Sequence, residues 1–440
     1  IYNNGTIINK GRLVVRRTFK ANEGWHFVSF PYDVTADRVL IAGTGFETTW
    51  GDLADYPNAD FYVQEYDGVR RDLTGAATVT NSPNWKNVVP KTFVKNRGYI
   101  IAVGEDITLD FVSVIGESDL FAKQAQIDLQ KSNNNPALVH RSWNLGGNPF
   151  SSPFNLRYAT QTHAPYYYFN GNTYVAVMAH DDFVVPSYAT FFVQAHGNEQ
   201  SLVFEENGRN VRALSVPERF EQLSLTIQDN SNNEFSDVTR IRLQEGRTTE
   251  FELGKDAVKM ISSNALVPQI YTQSRNAANS SYSYAVNSLP ITTTLVDLVV
   301  TTGKAGSYTI SLENIDDAPI YSSIILVIGT KEYDLLEGTY TFSTTKAQTM
   351  NWKLKLVQGV PTQIVQNETT ALSIDKVANQ IVVSGVEGAA TVQVYTVDGK
   401  CVQTIENVQN KQALFIDHVG VSLLTVTTDT QQAKVKVLIE

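Results

Sequence analysis

Short runs of alternating apolar and polar residues, separated by Gly, Asn, Asp and Pro, recur along most of the chain. Alternation with a period of two is typical of β-strands that bury one face, whereas an amphipathic helix repeats its apolar positions every three or four residues. Sustained helical periodicity is scarce, and we expect at most a short helical turn at residues 254–261. The pattern therefore predicts an all-β protein made of tandem β-sandwich or jelly-roll-like modules with an immunoglobulin-like C-terminal domain.

Two segments with the same chemistry organise the first half of the chain. Each starts with a Trp, has a Pro six residues later and continues with an aromatic residue. The spacing between Trp25 and Trp143 equals the spacing between Pro31 and Pro149. Such self-similarity indicates a duplicated unit, and we expect both Trp side chains to be largely buried. The alternative is two unrelated β segments that share a strand-then-Pro ending.

The order of features after each Trp supports the duplication. Aromatic runs end in Asp67-Gly68 and in Asn170-Gly171, dipeptides that predict hairpin turns. A Val-Val-Pro sequence and a further apolar strand follow each of these turns. Chemistry and order are kept while the loop lengths differ, as expected for two copies of one fold.

Changes in pattern divide the chain into six parts. Residues 1–20 are strand-rich, and they are either the end of an upstream β layer or the first hairpin of the module that follows. The remaining parts are a β-sandwich module (21–114), its duplicate (115–213), a sandwich or jelly-roll module (214–357), a polar linker (358–370) and the immunoglobulin-like domain (371–440). Polar stretches at residues 131–136 and 229–234 are predicted hairpin tips.

Length and charge restrict the class of protein. The chain has 440 residues, enough for about three domains of ordinary size. Its formal net charge of −10 argues against a nucleic-acid partner, because nucleic acid requires a basic face. No run of 18 apolar residues is present to span a membrane as a helix. The sequence begins at Ile1 instead of Met, which is compatible with a removed N-terminal segment.

The last seventy or so residues carry their own strand and turn signals. Asp398-Gly399 predicts a hairpin, and Val392 and Val394 are expected in the core. Cys401 is the only cysteine of the chain, so it has no intramolecular disulfide partner. Its alternating context predicts a buried, unreactive thiol.

Short motifs in a fixed order resemble exported and cell-surface β-sandwich proteins of Bacteroidetes type. In the first two modules the matching residues are Trp25, Ser29, Pro31, Trp143, Asn144, Leu145, Gly147, Asn148 and Pro149. In the third module they are Asp256, Ala257, Lys259, Pro268, Tyr271, Asn287, Pro290, Gly306, Tyr308, Tyr340 and Phe342. In the tail they are Val394, Tyr395, Asp398, Gly399, Lys434 and Lys436.

The resemblance implies a function class and a location. It implies export to the cell surface or the medium, and a C-terminal sorting domain that engages the export machinery. The alternative for residues 371–440 is a spacer domain without a sorting role. The resemblance implies no catalytic activity, because such modules accompany many different cargoes.

A search for catalytic or metal-binding patterns finds little. No Gly-x-Ser-x-Gly, His-Glu-x-x-His or P-loop motif is present. The cluster at residues 180–182 is typical of a solvated turn, and the paired acids at 205–206 and 316–317 do not face each other across a cleft as a glycosidase needs. Residues 229–234 have some features of a calcium loop, but a hairpin tip is the better interpretation. We therefore predict no catalytic residue, no cofactor and no metal site.

Aromatic side chains are the candidates for ligand contact. Tyr166 and Tyr168 lie on one face of a predicted strand, and Tyr282 and Tyr284 share a face of another. If exposed, flat aromatic faces suit sugar rings or a protein partner. The alternative is core packing between sandwich layers.

These observations together predict a non-enzymatic exported cell-surface protein that mediates adhesion, with a glycan or a surface protein as its partner. The alternative is the C-terminal, non-catalytic part of a secreted hydrolase whose catalytic domain lies upstream.

Overall fold

The chain is almost entirely β, which confirms the predicted fold class. The computed structural model describes residues 9–74, 84–118, 122–131, 139–160, 163–178, 181, 183–195, 201–209, 222–275, 281–313, 321–358, 373–377, 380–386, 388–396, 399–418, 420–428 and 432–439. Within these residues a single α-helix is present, α1 (Gly68–Thr74). The chain separates into two units, Ile1–Gln358 and Gly359–Glu440.

The first module has ten short strands in its described residues. They are β1 (Val14–Phe19), β2 (His26–Ser29), β3 (Val34–Thr35), β4 (Val39–Ile41), β5 (Trp50–Gly51), β6 (Phe61–Tyr66), β7 (Trp85–Asn87), β8 (Thr92–Phe93), β9 (Gly98–Ala102) and β10 (Ile107–Val112). They form a sheet β1-β10-β4, a sheet β2-β9-β6-β5 with β7 also on β6, and the pair β3-β8. An aromatic core lies between the sheets, with Phe30, Phe93 and Phe111 in mutual ring contact.

In the described residues the second module has eight strands, and each of their pairings has a counterpart in the first module, which in addition has β4 on β10 and β5 on β6. They are β11 (Ala125–Asp128), β12 (Trp143–Gly147), β13 (Phe154–Asn155), β14 (Tyr166–Phe169), β15 (Tyr174–Val177), β16 (Val184–Val185), β17 (Thr190–Gln194) and β18 (Ser201–Phe204). The sheet β12-β17-β14-β15 repeats β2-β9-β6-β7, the pair β11-β18 repeats β1-β10, and β13-β16 repeats β3-β8. This repeated pairing is what two copies of one fold produce.

Two local features of the first module differ from expectation. β1 pairs with β10, the last strand of this module, so residues 14–19 belong to the module. Residues 1–8, the other part of the predicted first hairpin, lie outside the described residues. Asp67-Gly68 does not form a hairpin turn: the Asp67 carboxylate accepts a hydrogen bond from the Arg70 backbone N–H (2.9 Å) and starts α1. An Asp at this position caps the free N–H groups of a helix, which the dipeptide pattern alone does not reveal.

In the second module the corresponding dipeptide does form a hairpin. β14 and β15 are paired up to Phe169 and Tyr174. The Asn170 backbone N–H donates to the Thr173 carbonyl (3.1 Å), and Gly171 has a positive φ of 103°. The turn therefore has four residues instead of the two of a type I′ turn. Of the predicted hairpin tip at residues 131–136, all but Lys131 lies outside the described residues.

In the described residues the third module is one sheet of eleven strands that curls until it is nearly closed. The strands are β19 (Gln222–Asp229), β20 (Asn232–Gln244), β21 (Ala257–Val258), β22 (Gln269–Arg275), β23 (Ser281–Pro290), β24 (Leu295–Thr302), β25 (Gly306–Glu313), β26 (Tyr321–Ile328), β27 (Lys331–Asp334), β28 (Tyr340–Thr344) and β29 (Gln348–Gln358). Their order is β27-β26-β29-β24-β22-β23-β20-β19-β25-β28, with β21 on β23. The edge strands β27 and β28 approach each other through Tyr333 and Tyr340, whose ring centroids are 4.4 Å apart.

Two predictions in this module have clear outcomes. Residues 254–261 are not helical; they form a turn followed by β21. The polar stretch at 229–234 is a hairpin tip between β19 and β20, as predicted. One Asp229 oxygen accepts from the Ser231 N–H and hydroxyl, and the other lies 3.0 Å from the Lys304 ammonium.

The described residues of the C-terminal unit form a sandwich of seven strands. Its strands are β30 (Ser373–Val377), β31 (Gln380–Ser384), β32 (Ala390–Thr396), β33 (Cys401–Val408), β34 (Gln412–Leu414), β35 (Gly420–Thr427) and β36 (Gln432–Ile439). The sheets β30-β31-β34 and β33-β32-β35-β36 enclose a core that contains Val392 and Val394, as predicted. β32 and β33 form the expected hairpin, although Asp398 itself lies outside the described residues.

Cys401 is exposed, so the prediction of a buried thiol is wrong. Its cross-strand partner is Tyr395, and a register irregularity separates Tyr395 from Val394. Val392 and Val394 face the core, so Tyr395 points to the opposite face of the sheet, and paired residues share a face. Cys401 therefore follows Tyr395 outwards.

A shared hydrophobic core joins the three modules of the first unit. It contains Ile100 and Trp85 from the first module, Trp143 and Tyr167 from the second, and Met260 from the third. The Tyr167 hydroxyl donates to the Val258 carbonyl across the junction (2.7 Å). Among the described residues no helix is long and apolar enough to cross a membrane.

Candidate functional site

The two Trp segments meet at the junction of the duplicated modules, and their contacts are reciprocal. The Ser29 hydroxyl donates to the Tyr188 carbonyl (2.9 Å), and the Gly147 N–H donates to the Asn96 carbonyl (2.9 Å). Tyr188 and Asn96 hold matching positions before β17 and β9, and both have positive φ values, 61° and 62°. Such reciprocity is the signature of an approximate twofold arrangement.

The Ser–Gly difference between the two motifs follows from this packing. Ser29 and Gly147 are equivalent residues that face each other. A Cβ on Gly147 would overlap the Ser29 side chain. Only one of the two positions can therefore carry a side chain.

The Trp143 side chain is enclosed by neighbouring residues, and we call its surroundings the closed site. The Trp143 side chain is 1% exposed. The guanidinium of Arg71 in α1 lies over its ring, with Cζ 4.9 Å from the ring centroid. The same guanidinium donates to the Tyr66 hydroxyl (3.0 Å) and lies 3.3 Å from Nδ1 of His140. Arg71 thus fills the space over Trp143 and satisfies two neighbouring polar groups.

The electrostatics of the closed site favour a neutral imidazole beside the guanidinium. Burial, with a smaller contribution from the Arg71 charge, lowers the pKa of His140 to about 3. A neutral imidazole has one nitrogen that can accept a hydrogen bond. His140 can therefore accept from Arg71 without a second positive charge.

Around Trp25 the equivalent site is open. Trp25 is 36% exposed, so the prediction that both Trp side chains are buried is correct for Trp143 and wrong for Trp25. The two Trp side chains differ in exposure because different segments follow the equivalent strands β6 and β14. α1 follows β6 and reaches over Trp143, with Gly68 against the Trp143 carbonyl. The hairpin turn after β14 is too short to reach over Trp25 in the same way.

A groove with two connected parts surrounds Trp25; we call it the Trp25 groove. The inner part has a volume of about 600 Å³. Its aromatic lining residues are Trp25, Phe27, Trp85, Phe169 and Tyr174. Its other lining residues include Glu23, Leu53, Gln64, Ile100, Gly171, Ser263 and Asn264. All three modules of the first unit therefore contribute to one concave, largely aromatic surface.

The outer part of the groove is wider and more polar. Its volume is about 930 Å³, and it shares Glu23, Trp25, Phe27, Phe169 and Gly171 with the inner part. The residues that it adds are Arg17, His26, Asn170, Asn172 and Glu234. Burial lowers the pKa of Arg17. The His26 ring lies 3.9 Å from a Glu23 carboxylate oxygen.

Aromatic surface combined with amide and charged groups suits a binding site. Concave sites of this kind are typically apolar, with a few polar groups that fix orientation. Trp and Tyr are favoured in contact surfaces because one side chain offers both a large flat area and a polar group.

The four tyrosines selected from the sequence do not line this groove. Tyr166 and Tyr284 are buried, each 1% exposed, and this corrects their assignment as contact residues. The Tyr166 hydroxyl donates to the Thr160 carbonyl (2.8 Å), and the Tyr284 hydroxyl lies 3.1 Å from the Ser274 hydroxyl. Both belong to the core, which was the alternative interpretation.

The other two tyrosines are only half-buried. Tyr168 stacks on Phe183 with ring centroids 4.2 Å apart, and Tyr282 lies against Phe251. Neither contacts Trp25. The sequence signal that could have found the groove is the unequal length of the segments that follow Asp67-Gly68 and Asn170-Gly171, since that inequality leaves one Trp uncovered.

The acidic clusters are engaged in ordinary ion pairs. Asp181 pairs with Arg240 (2.9 Å), and Glu206 pairs with Lys123 (3.7 Å). His180, Asp182, Asp316 and Asp317 lie outside the described residues. Within the described part of the chain, no three His, Cys, Asp or Glu side chains are grouped so that they could hold a metal ion.

Comparison with known families and proteins gives no match: no family model matches the chain, and no curated protein matches its sequence.

Proposed function

We propose that this chain is a non-catalytic contact protein of the cell surface, and that the Trp25 groove is its ligand-binding surface. One observation carries the proposal. The duplicated fold buries Trp143 but leaves its equivalent, Trp25, exposed in a groove lined by four further aromatic residues. A large aromatic side chain that stays exposed in a concave, partly aromatic groove is suited to contact with a ligand.

The composition of the groove is suited to contact. Its charged side chains are Glu23, Glu234, Arg17 and the ionisable His26. The two carboxylates come from different modules, with Glu23 near β2 and Glu234 in β20. The described residues therefore support a binding surface.

The contact proposal is tested with the purified chain and two panels of candidates, a glycan array and a set of cell-surface proteins. We expect saturable binding within one panel and its loss in Trp25→Ala. Phe46→Ala is the matched control, because Phe46 is an exposed aromatic residue outside the groove. Binding that Trp25→Ala leaves unchanged would contradict the groove as contact surface, and binding to neither panel would contradict the contact function.

We also propose export with the C-terminal unit as sorting or anchoring domain, in line with the family resemblance. The supporting observation is that the tail, residues 373–439, has its own two sheets and its own core. Deletion of residues 371–440 in the native host should abolish surface display. Normal display of the shortened chain would leave this domain as a spacer.

A further inference from the structure

The group that covers Trp143 in the closed site indicates what kind of group fits over Trp25 in the open groove. The two sites occupy equivalent positions in two copies of one fold. In the closed copy, the group that lies over the Trp ring is a guanidinium, that of Arg71. The other module supplies it, because α1 belongs to the first module and Trp143 to the second.

We propose that the Trp25 groove binds an arginine side chain of a partner protein. The guanidinium of this arginine lies over the Trp25 ring in the same way as the Arg71 guanidinium lies over the Trp143 ring. This inference rests on the proposed contact function and adds the chemical class of the ligand. A cation over an aromatic face is attracted by the ring quadrupole, and Trp is the strongest of the aromatic partners. A guanidinium also stacks flat on the ring and donates several hydrogen bonds in fixed directions.

The charge of the inner groove agrees with a cationic ligand. Among the described residues, Glu23 is the only Asp, Glu, Lys, Arg or His in its lining. Glu23 and Arg141 are equivalent, because each lies two residues before the Trp of its motif. The residues that follow them support this, since Gly24 and Ser142 both have positive φ values, 72° and 56°. The open copy therefore carries a carboxylate where the closed copy carries a guanidinium. A carboxylate beside the ring would pair with an incoming arginine.

The outer groove carries charges of both signs. Glu234 adds a second carboxylate, and Arg17 and His26 are the groups that oppose a cation. None of these three lines the inner part, where the exposed Trp25 and Glu23 lie together. An arginine is therefore favoured at the inner part, with the flanking residues of its chain in the outer part.

The inference is tested by ¹⁹F NMR on the full chain labelled with 5-fluorotryptophan. The chain has five Trp residues, and Trp25→Phe assigns the Trp25 resonance. The probes are N-acetyl-arginine amide and N-acetyl-citrulline amide, which have nearly the same shape but differ in charge. Methyl glycosides form a third arm, because sugar rings also stack on Trp.

We expect a saturable shift of the Trp25 resonance with the arginine probe and about tenfold weaker binding of the citrulline probe, because the neutral urea group loses the cation–π attraction. Glu23→Gln should weaken arginine binding by about threefold to tenfold, because it removes the charged hydrogen-bond acceptor. Glu105→Gln is the control, because Glu105 is an exposed acid outside the groove.

Equal shifts with arginine and citrulline, or no shift with arginine, would overturn the inference. A shift with methyl glycosides alone would also overturn it, while leaving the proposed contact function in place with a sugar ligand. Conversely, arginine binding at Trp25 together with surface binding that survives Trp25→Ala would retain only the recognition of arginine at Trp25 and would remove the contact function of the groove. The two proposals thus fail separately.

Discussion

Trp143 is the first residue of β12 and Trp25 directly precedes the equivalent strand β2, yet Trp25 is exposed and Trp143 is almost completely buried. The difference lies in what the opposite module contributes. The segment after β6 forms α1 and places Arg71 over Trp143, whereas the segment after β14 is a four-residue turn that leaves Trp25 uncovered. Two copies of one fold can therefore differ at equivalent positions, with one Trp covered by the other module and one Trp left uncovered.

The largest expected difference between the two copies is in stability. Trp143→Ala should lower the free energy of unfolding of the first unit by roughly 3–5 kcal/mol, because it removes a large side chain from a core shared by three modules. Trp25→Ala should lower it by about 1 kcal/mol or less, as surface substitutions do. Urea denaturation of both variants measures the two values. Equal losses would show that the two sites are equally packed.

Arg71 is expected to be the next most important residue of the closed site. Arg71→Met keeps much of the apolar stem but removes the charge over Trp143 and the hydrogen bond to the Tyr66 hydroxyl. We expect a loss of about 2–3 kcal/mol from these two contributions. Arg70→Met is the matched control, since Arg70 is an exposed neighbour in the same helix. A loss of the same size in the control would assign the effect to the helix as a whole.

The reciprocal contact of Ser29 and Gly147 can be tested by a double-mutant cycle. Gly147→Ala should cost about 1–3 kcal/mol of stability, because its Cβ would overlap the Ser29 side chain. Ser29→Gly should recover a large part of this loss when it is combined with Gly147→Ala. Gly104→Ala serves as control, as a Cβ there meets no atom within 4 Å. Additive effects of Ser29→Gly and Gly147→Ala would mean that the two residues do not touch.

The buried His140 of the closed site should make the folded chain less stable at low pH. The pKa of His140 is about 3 in the folded chain and about 6.5 when unfolded. The unfolded chain therefore binds more protons as the pH falls below about 6.5, and stability decreases with falling pH. At pH 5 the loss should be about 1–2 kcal/mol, and His140→Gln should remove it.

Asp256 is a second titrating group in the same pH range, and its effect has the opposite sign. Burial raises its pKa to about 7, so the folded chain holds this proton more tightly than the unfolded chain does. Its contribution to stability is present at low pH and is lost as the pH rises towards about 7. Because His140→Gln leaves Asp256 in place, the difference between variant and unmodified chain isolates His140. An unchanged pH profile in the variant would contradict the buried, neutral imidazole.

Much of the architecture could be predicted from the sequence. Alternation reveals strands because it is a local property, and the repeated order of Trp, Pro and strand signals matches the repeated strand pairing. Local rules failed where two meanings compete: Asp67-Gly68 has the residues of a turn, but Asp67 caps a helix instead. The prediction that Cys401 is buried was wrong for a related reason. The register irregularity in its hairpin places the Cys401 side chain on the outer face of the sheet.

The candidate site could not be predicted in the same way, because it depends on contacts between modules. Whether Trp25 is covered depends on the segment after β14, which belongs to the opposite module. The tyrosine-rich composition of β14 suggests ligand-contact residues, yet Tyr166 and Tyr167 are core residues. Exposure at a junction follows from how modules pack, and single-strand patterns contain no information on that packing.

The contrast between the two sites is tested most directly by the solvent exposure of the five tryptophans. Trp50, Trp85, Trp143 and Trp352 are buried, and Trp25 is exposed. In the chain labelled with 5-fluorotryptophan, a neutral gadolinium chelate should broaden one ¹⁹F resonance strongly, and that resonance should be missing in Trp25→Phe. A protected Trp25 resonance, or equal broadening of the Trp25 and Trp143 resonances, would contradict an open and a closed copy of the same site.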